Sequence, residues 1–424
     1  MDSEGQMRIS LRYGKGFLQI ENGTLSSMEE IAPKTAIGHA DLDAELNRVL
    51  MAPVASEILS TSVTQDDTVA IVVEGSVLQR KARTLLDATL SNLSLVAEPE
   101  QVTIIVSSAG EAPLNHVEWD TLLGTPTSKG YSLVVHDPRT VGQLEEIGIT
   151  PTHSTPVLLN QHFVKADFKI SLGDILPSLF TGATGGRMAV VPGVAGMKTI
   201  SRNLQLVARS KVAVFDVSTP ACIDMLETCN MAGLNFILNS VEDWKGTVAE
   251  VYSGSPTESW ELGVSAAQNL AEVALGQRYD IAVVSAGGFP SDGTLYSAVE
   301  ALNAGFQATR RDGVIVLVAE CSMGVGPDGF MNGVSRSGSE RDQLLQVEPG
   351  FEVGMERARY FLKVLESRSL ILCSRMRSSL VEENMHCIPV RDLEEGLEVA
   401  QELTTTRARI AAFVDGTRTN PLVH

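Results

Sequence analysis

The stretch from Gly173 to Asn203 contains the residues whose types and spacing are most typical of a binding loop. A β-branched run ends at Leu172, and Gly182-Ala-Thr-Gly-Gly-Arg187 follows within a short distance. Backbone N–H groups of such a loop and a guanidinium can converge on a phosphate or a carboxylate. Met188 stands where a P-loop would have lysine, so this is not that motif. We expect an anion-binding loop; a tight turn whose glycines serve only the backbone is the alternative.

Two further polar segments also follow apolar runs. In Ser285-Ala-Gly-Gly-Phe-Pro-Ser-Asp-Gly-Thr-Leu-Tyr296, Asp292 is expected to cap a helix that begins near Thr294. In the second segment, Ala319-Glu-Cys-Ser-Met-Gly-Val-Gly326, either Glu320 or Ser322 is expected to face the same crevice. In α/β proteins, ligands commonly lie outside the carboxyl ends of the strands, so these segments are candidate site loops.

The histidines and cysteines give weaker signals. His136-Asp137 is an acid–base pair only by adjacency, and neighbouring side chains rarely point at one target. The other histidines show neither an HxxxH nor an HxH spacing, so the sequence predicts no histidine metal site and places them on the surface. The 5 cysteines include no CxxC pair and are expected to be reduced, buried thiols.

The elements that position these residues alternate between strand and helix, which predicts an α/β fold. Predicted strands cover 68–73, 101–106, 131–135, 168–172, 280–284, 313–318, 369–373 and 408–413. Predicted helices cover 78–93, 265–275, 295–308, 353–367 and 393–403, and 324–338 is predicted to be a long loop. The pattern restarts near 270–280, which predicts an N-terminal domain of residues 1–272 and a smaller C-terminal domain of residues 273–424.

Composition excludes several classes of partner. The 33 basic and 52 acidic residues of the 424-residue chain give a net charge of −19, which argues against nucleic acid and an anionic membrane surface. The longest apolar run, 314–319, is far shorter than a bilayer span of about 18 residues. The polar N-terminus has no secretory pattern, so a cytoplasmic protein is expected. The expected partner is a small anionic organic molecule, and a homo-oligomer is left open.

Together, the three segments and His136-Asp137 resemble, in order and spacing, the lactate racemase (LarA-like, nickel-pincer nucleotide) family over essentially the whole chain. The resemblance implies two domains, each a mainly parallel sheet flanked by helices, with an active-site cleft between them. It also implies a nickel-pincer nucleotide, tethered through lysine, that accepts a hydride from C2 of a 2-hydroxy acid and returns it. Two histidines of the family deprotonate and reprotonate the hydroxyl.

Several of the family's nickel and cofactor positions carry other residues in this sequence. The tethering lysine of the Gly-Gly-x-Lys pattern falls on Met188, whose thioether cannot make that link. The histidine of a Pro-His pair falls on Ser178, and a nickel-ligating histidine falls on Leu204. The resemblance therefore implies that the nickel-pincer nucleotide is not tethered here, and we assign neither a cofactor nor a metal.

The family's acid–base and cationic positions are changed as well. Its acid–base histidine falls on Glu111, an arginine falls on Val77, and a lysine falls on Glu300. Glu74, Glu111 and Glu300 would thus add carboxylates to a cleft that the family fills with cations. The predicted binding residues are Gly182, Thr184, Gly185, Gly186, Arg187, Lys198 and Tyr296.

Three hypotheses follow, and whether the chain is an enzyme stays open among them. The first is a diverged enzyme that acts on a small 2-hydroxy acid or sugar acid by acid/base chemistry without the tethered nickel cofactor. In it Glu111 is the general base or acid, and Asp174 and Glu300 are further catalytic carboxylates, because clustered carboxylates can divide the two roles. The second is a true 2-hydroxy-acid racemase or epimerase that uses the nickel-pincer nucleotide. The third is a non-catalytic ligand-binding or partner protein.

Overall fold

A computed structural model describes residues 8–20, 28–75, 79–107, 115–336, 351–404 and 407–424. Its contacts divide the chain into two units. The N-terminal unit comprises Thr35–Leu176 and Phe180–Asn269. The C-terminal unit comprises Met1–Lys34, Pro177–Leu179 and Leu270–His424. Glu111 and Val77 lie outside the described residues.

The described strands, in chain order, are β1 (Ile9–Tyr13), β2 (Gly16–Ile20), β3 (Met28–Ile31), β4 (Val69–Val73), β5 (Val102–Val106), β6 (Ser132–Val135), β7 (Leu144–Ile149), β8 (Pro156–Asn160), β9 (Phe168–Ile175), β10 (Pro177–Ser178), β11 (Gly182–Ala183), β12 (Phe236–Glu242), β13 (Val248–Gly254), β14 (Glu272–Leu275), β15 (Tyr279–Ser285), β16 (Thr309–Val318), β17 (Arg368–Cys373), β18 (Ile388–Val390), β19 (Ile410–Phe413) and β20 (Asn420–Val423).

The described α-helices are α1 (Leu42–Leu50), α2 (Leu59–Ser62), α3 (Gln79–Leu93), α4 (His116–Leu122), α5 (Gln161–Lys165), α6 (Met197–Arg209), α7 (Pro220–Ala232), α8 (Glu258–Ala271), α9 (Leu295–Ala298), α10 (Leu302–Ala308), α11 (Asp328–Val334), α12 (Met355–Leu365), α13 (Ser378–Met385) and α14 (Leu393–Glu402). None of them has both the length and the apolar character needed to cross a bilayer.

The N-terminal unit contains a six-stranded sheet in the order β13-β12-β9-β4-β5-β6. Its pairings are parallel except that of β12 with β13. Every residue of β4 is buried, as expected for a continuous apolar strand with both faces covered. On one face of this sheet, Ile71, Leu172 and Phe236 belong to the same buried cluster as Leu86 of α3. This packing fixes the positions at which β4, β9 and β12 end.

The C-terminal unit contains a second six-stranded sheet, β18-β17-β16-β15-β19-β3, in which every pairing is parallel. Val283, Val316 and Phe413 on three central strands are fully buried. The fold is α/β with parallel-rich sheets flanked by helices, which confirms the predicted class. The division at 272/273 remains a prediction; in space, residues 28–31 pair with β19 of the C-terminal unit.

Three local expectations were wrong. The predicted helix 265–275 is α8 up to Ala271, and its last four residues form β14, which pairs with β20. The predicted loop 324–338 contains α11, because Phe330 is buried against Phe361 at a ring distance of 6.2 Å. Asp292 caps no helix, since Thr294 is the N-cap of α9 and accepts from the Ser297 N–H. In each case a long-range contact decided the local structure.

Candidate active site

The carboxyl ends of three neighbouring strands in the N-terminal unit bring polar side chains together. Glu74 follows β4, and its N–H donates to the Leu172 carbonyl of β9 at 3.0 Å. Asp174 lies at the end of β9, with Ser240 of β12 directly beside it in the parallel pairing. All three side chains are buried, with 4 % of Glu74, 6 % of Asp174 and 2 % of Ser240 exposed. Glu74 and Asp174 are called the carboxyl pair below.

Glu74 has an environment that favours the protonated form of its carboxyl group. Its side chain lies over Gly173, where a Cβ would stand 2.4 Å from Glu74 Oε1. Oε1 is buried and has no hydrogen-bond partner among the described residues. Burial, and then the negative charge of Asp174, raise the pKa of Glu74 well above its ordinary value. Its environment therefore favours the protonated form of the carboxyl group.

Asp174 has a different environment, although β4, which Glu74 follows, and β9, which carries Asp174, are neighbours in the sheet. Its Oδ1 accepts a hydrogen bond from the Ser240 hydroxyl. Its backbone carbonyl accepts from Thr184 Oγ1 at 2.6 Å, which fixes the end of β9 against residues 182–188, called the glycine loop. A hydrogen bond donated to a carboxylate favours its charged form. The carboxyl pair thus places two acids with different hydrogen bonding at adjacent strand ends.

Several backbone N–H groups of the glycine loop donate hydrogen bonds to other groups of the protein. Gly186 N–H donates to Asn239 Oδ1 at 3.2 Å, and Thr184 N–H and Met188 N–H donate to the Leu176 and Gly185 carbonyls. Those three groups are therefore engaged, although the sequence suggested that loop N–H groups bind an anion. Asn239 Nδ2 is buried without a partner among the described residues.

Trp260 of α8 holds the loop from one side. Its indole N–H donates to the Thr184 carbonyl at 2.9 Å. A Cβ at Gly186, whose φ is +52°, would stand 2.7 Å from the indole ring, so only glycine fits this close approach. The Arg187 guanidinium stacks on the same ring at 4.0 Å from its centroid. Trp260 and Gly186 thus fix the backbone from which Arg187 projects.

Arg187 is a buried cation, 8 % exposed. Its Nη1 donates to the Cys222 carbonyl at 3.0 Å, while Nε is buried without a partner among the described residues. Lys198, predicted beside it as a binding residue, is exposed on the first turn of α6. Gly182 has a φ of +73° and lies against the Asp216 carbonyl, a backbone role. The binding roles of these residues stay predictions.

The C-terminal unit contains the other two predicted site residues. Glu300 Oε1 pairs with Arg357 Nη2 at 3.1 Å, and Oε2 accepts from the Leu179 N–H at 2.9 Å. Tyr296 lies under the Arg357 guanidinium at 4.4 Å and donates its hydroxyl to Glu356 at 3.0 Å. Burial raises the pKa of Glu356. Glu300 therefore holds the chain segment at Leu179, and its catalytic role stays a prediction.

His136 has both ring nitrogens engaged. Nε2 contacts the Ala195 carbonyl at 3.0 Å, and Nδ1 contacts Asn160 Nδ2 at 3.1 Å. The network fits a neutral ring in which Nε2–H donates and Nδ1 accepts, and burial lowers the pKa of His136. Asp137 instead accepts from the Arg139 N–H and from Thr140. The adjacent pair is thus a structural element.

Asp292 fastens the β1–β2 hairpin to the C-terminal sheet. Its fully buried carboxylate accepts from the Gly14 N–H at 2.6 Å and the Glu320 N–H at 3.1 Å. The Gly14 carbonyl accepts from the Phe289 N–H at 2.8 Å. The hairpin turn therefore lies at the carboxyl ends of β15 and β16, where the sequence suggested a ligand crevice.

Substituting Gly14→Ala should loosen this hairpin, because the added Cβ would stand 2.2 Å from Glu320 Oε2 at a φ of +54°. Loss of one buried hydrogen bond alone corresponds to roughly a tenfold change in local opening. Hydrogen exchange of the β1 amides, followed by mass spectrometry, should accelerate at least about tenfold. Gly16→Ala is the matched control, since its Cβ would meet only the Tyr13 carbonyl at 3.9 Å. Equal exchange in both variants would contradict this assignment.

The positions at which the resemblance expects the nickel-pincer nucleotide hold side chains that do not fit it. Met188 Sδ accepts a hydrogen bond from Thr181 Oγ1 at 3.4 Å, and a thioether forms no lysine-type covalent link. Leu204 is partly buried on α6 and has no ligating atom. Within the described ranges, no three His, Cys, Asp or Glu side chains are grouped so that they could hold a metal ion.

Sequence reasoning missed Ser240, Asn239 and Trp260. Ser240 and Asn239 lie on β12, which was not predicted although its apolar Phe236-Ile-Leu238 run precedes polar residues. The same pattern of an apolar run followed by polar residues was the signal used elsewhere in the chain. Trp260 carries no local signal, because its contacts are with residues more than seventy positions away.

The fold and the site place this chain in the class of two-domain α/β proteins that have polar groups at the carboxyl ends of parallel strands. Comparison with known proteins identifies the family within this class. Residues 13–214 match the lactate racemase N-terminal domain, and residues 275–419 match the lactate racemase C-terminal domain. The chain belongs to the lactate racemase family.

Similar proteins of known name and structure span almost the whole chain. The lactate racemases of Thermoanaerobacterium thermosaccharolyticum and Lactiplantibacillus plantarum are each 24 % identical; each match covers 96 % of this chain and, respectively, 97 % and 98 % of the relative. The lactate racemase apoprotein structure from T. thermosaccharolyticum has a TM-score of 0.85 at 23 % identity, covering 98 % of this chain and 100 % of that one. A crystal structure of a Thermotoga maritima protein has a TM-score of 0.67 at 12 % identity, covering 93 % and 100 %. These structural matches establish the fold.

Proposed function

We propose that this chain is a diverged enzyme of the lactate racemase family that performs acid–base chemistry on a small 2-hydroxy acid or sugar acid. It does so without a lysine-tethered nickel-pincer nucleotide. The observation that carries this proposal is the carboxyl pair, in which Glu74 has a buried, unpartnered oxygen and Asp174 accepts a hydrogen bond. Two carboxyl groups with separated proton affinities are the elements of a general acid and a general base.

In this proposal each carboxyl group has one role. Asp174, ionised, takes a proton from the substrate, and Glu74, protonated, donates one to it. The low exposure of both groups strengthens their electrostatic effect on the reacting atoms. Glu111, which lies outside the described residues, keeps its predicted role as a further base or acid.

The substrate's anionic group has a candidate partner in Arg187. This guanidinium is buried, its Nε is unpartnered among the described residues, and no described carboxylate forms an ion pair with it. A buried cation with an open donor favours a carboxylate or phosphate ligand. A small hydroxy acid or sugar acid supplies both this anion and an exchangeable hydrogen beside it.

The experiment is hydrogen exchange at C2 of 2-hydroxy acids and sugar acids in D₂O, followed by ¹H NMR, with the nickel content of the same sample measured by mass spectrometry. We expect exchange by the protein as purified, at a nickel content near background. Exchange that appears only after co-expression with cofactor-making enzymes, with nickel bound, would instead identify a true racemase or epimerase. The near full-length match to proteins named lactate racemase is the observation that favours that second candidate.

A non-catalytic role is the third candidate, favoured by the apolar side chains Met188 and Leu204 at former cofactor positions. Thermal-shift measurements with the same acids separate it from the first two. A protein that binds an acid but exchanges no hydrogen, with or without nickel, would be a ligand-binding member of the family. If none of the acids changes the melting temperature, binding to a protein partner would be the favoured role.

A further inference from the structure

Ser240 is placed to control which member of the carboxyl pair is charged. It lies opposite Asp174 in the register of β9 and β12, so both side chains leave the same face of the sheet. Its hydroxyl donates to Asp174 Oδ1 in a buried setting, with 2 % of Ser240 exposed. Glu74 has no such donor on Oε1 among the described residues. The two carboxyl groups therefore differ in hydrogen bonding as well as in position.

We propose that Ser240 is a positioning residue that holds Asp174 as the ionised member of the carboxyl pair and thereby leaves the proton on Glu74. This inference rests on the proposed function, because it assigns the base and acid roles within that site. Ser240 acts through Asp174, whose Oδ1 accepts its hydrogen bond, and it has no proton-transfer step of its own.

Glu242, the next acidic residue on this face of β12, has a partner of its own. Glu242 follows Ser240 by two residues on β12 and forms an ion pair with Lys81 of α3. Lys81 also donates to the Gly246 carbonyl at 2.8 Å, which holds its charge beside Glu242. Thr184 Oγ1 donates to the backbone carbonyl of Asp174, not to its carboxylate. The negative charge of Asp174 repels that of Glu74 and thereby adds to the rise in the pKa of Glu74.

Removing the hydroxyl has a defined sign. Without its donor, the Asp174 carboxylate is less favoured, so Asp174 takes up a proton at a higher pH. A base that must be ionised then works only above that higher pH. The acid limb of the pH–rate profile should move upward, while the alkaline limb, set by loss of the Glu74 proton, should stay in place.

The test compares Ser240→Ala with Ser240→Thr, which keeps the hydroxyl, and Ser240→Cys, which keeps the shape with a weaker donor. The Asp174 carboxyl is titrated by NMR in protein carrying ¹³C-labelled aspartate, assigned with Asp174→Asn. In Ser240→Ala we expect the Asp174 titration and the acid limb to move up together by about one pH unit. Ser240→Thr should restore both, and Ser240→Cys should shift them in the same direction as alanine.

The failure of this inference and that of the proposed function give different results. If no acid is turned over, the proposed function fails, while the Asp174 titration still measures the effect of Ser240. An Asp174 titration that is unchanged in both Ser240→Ala and Ser240→Cys overturns the inference, with or without turnover. A titration that moves while the acid limb of an active enzyme stays fixed also overturns it, because Asp174 is then not the base.

Discussion

Substituting Glu74→Gln should lower turnover of the hydroxy-acid or sugar-acid substrate by at least about 100-fold, the lower range for loss of a positioned general acid. Glutamine keeps the shape that fits over Gly173 but carries no transferable proton. The binding of the substrate anion should change little, because Arg187 and the glycine loop are untouched. The measurement is the rate of C2 hydrogen exchange at saturating substrate, with the binding constant taken from thermal shift.

The same substitution should have a second effect, on stability. The pKa of Glu74 is raised in the folded protein, from an ordinary value of 4.5. The folded state therefore keeps a proton that the unfolded chain releases, and stability falls as the pH rises above about 4.5 through the folded pKa. Glutamine does not titrate, so Glu74→Gln should melt at a higher temperature than the wild type at pH 8, and this advantage should shrink toward pH 4.

The matched control is Glu57→Gln, since Glu57 is exposed. It should leave both exchange and the pH dependence of melting as in the wild type. Glu74→Gln with full activity would remove Glu74 from the mechanism and direct attention to Glu111. Glu111→Gln tests that predicted residue in the same assay. A Glu74→Gln protein that melts like the wild type at every pH would show that the burial of Glu74 costs nothing.

Substituting Trp260→Ala should destabilise the N-terminal unit by about 3–5 kcal/mol, the range for removing a large buried aromatic side chain. Trp260 is 4 % exposed, lies against Gly186 and stacks with Arg187. Its removal leaves a cavity and takes away both the support of the glycine loop and the hydrogen bond to the Thr184 carbonyl. Urea unfolding followed by circular dichroism measures the loss.

Trp260→Phe separates these contributions. Phenylalanine retains most of the buried ring but has no N–H for the Thr184 carbonyl, so a loss of about 1 kcal/mol is expected. Substrate affinity should weaken in Trp260→Ala and change less in Trp260→Phe, because the aromatic face that orients Arg187 remains. If alanine and phenylalanine were equally stable, packing of the indole ring would not be what holds the loop.

The alternation of strands and helices was predictable because it depends on the spacing of apolar residues over short stretches of the chain. The apolar runs that became β4, β5, β6 and β9 were identified within a few residues of their ends, as was helix α3. The failures involved contacts between distant residues. Residues 272–275 pair with residues 420–423, and Thr294 rather than Asp292 caps α9, because Asp292 is used by the distant Gly14.

The candidate site shows the same division. Asp174 was named as one of the carboxylates that could divide acid and base roles, and the sequence also marked Glu74, Arg187 and the glycines. Ser240 and Asn239 escaped notice because they lie more than sixty residues away from Asp174, on a strand that was not predicted. No spacing rule along the chain connects them.

The sequence by itself determined the α/β class, the family resemblance and the loss of the tethering lysine at Met188, because each is a property of local patterns or of residue type. Only the tertiary structure decided which partners each acid has. Glu300 has an arginine partner, Asp174 has the Ser240 hydroxyl, and Glu74 Oε1 is buried with no partner among the described residues. Burial and hydrogen bonding set the charge of a carboxyl group, and both depend on which residues the fold brings beside it.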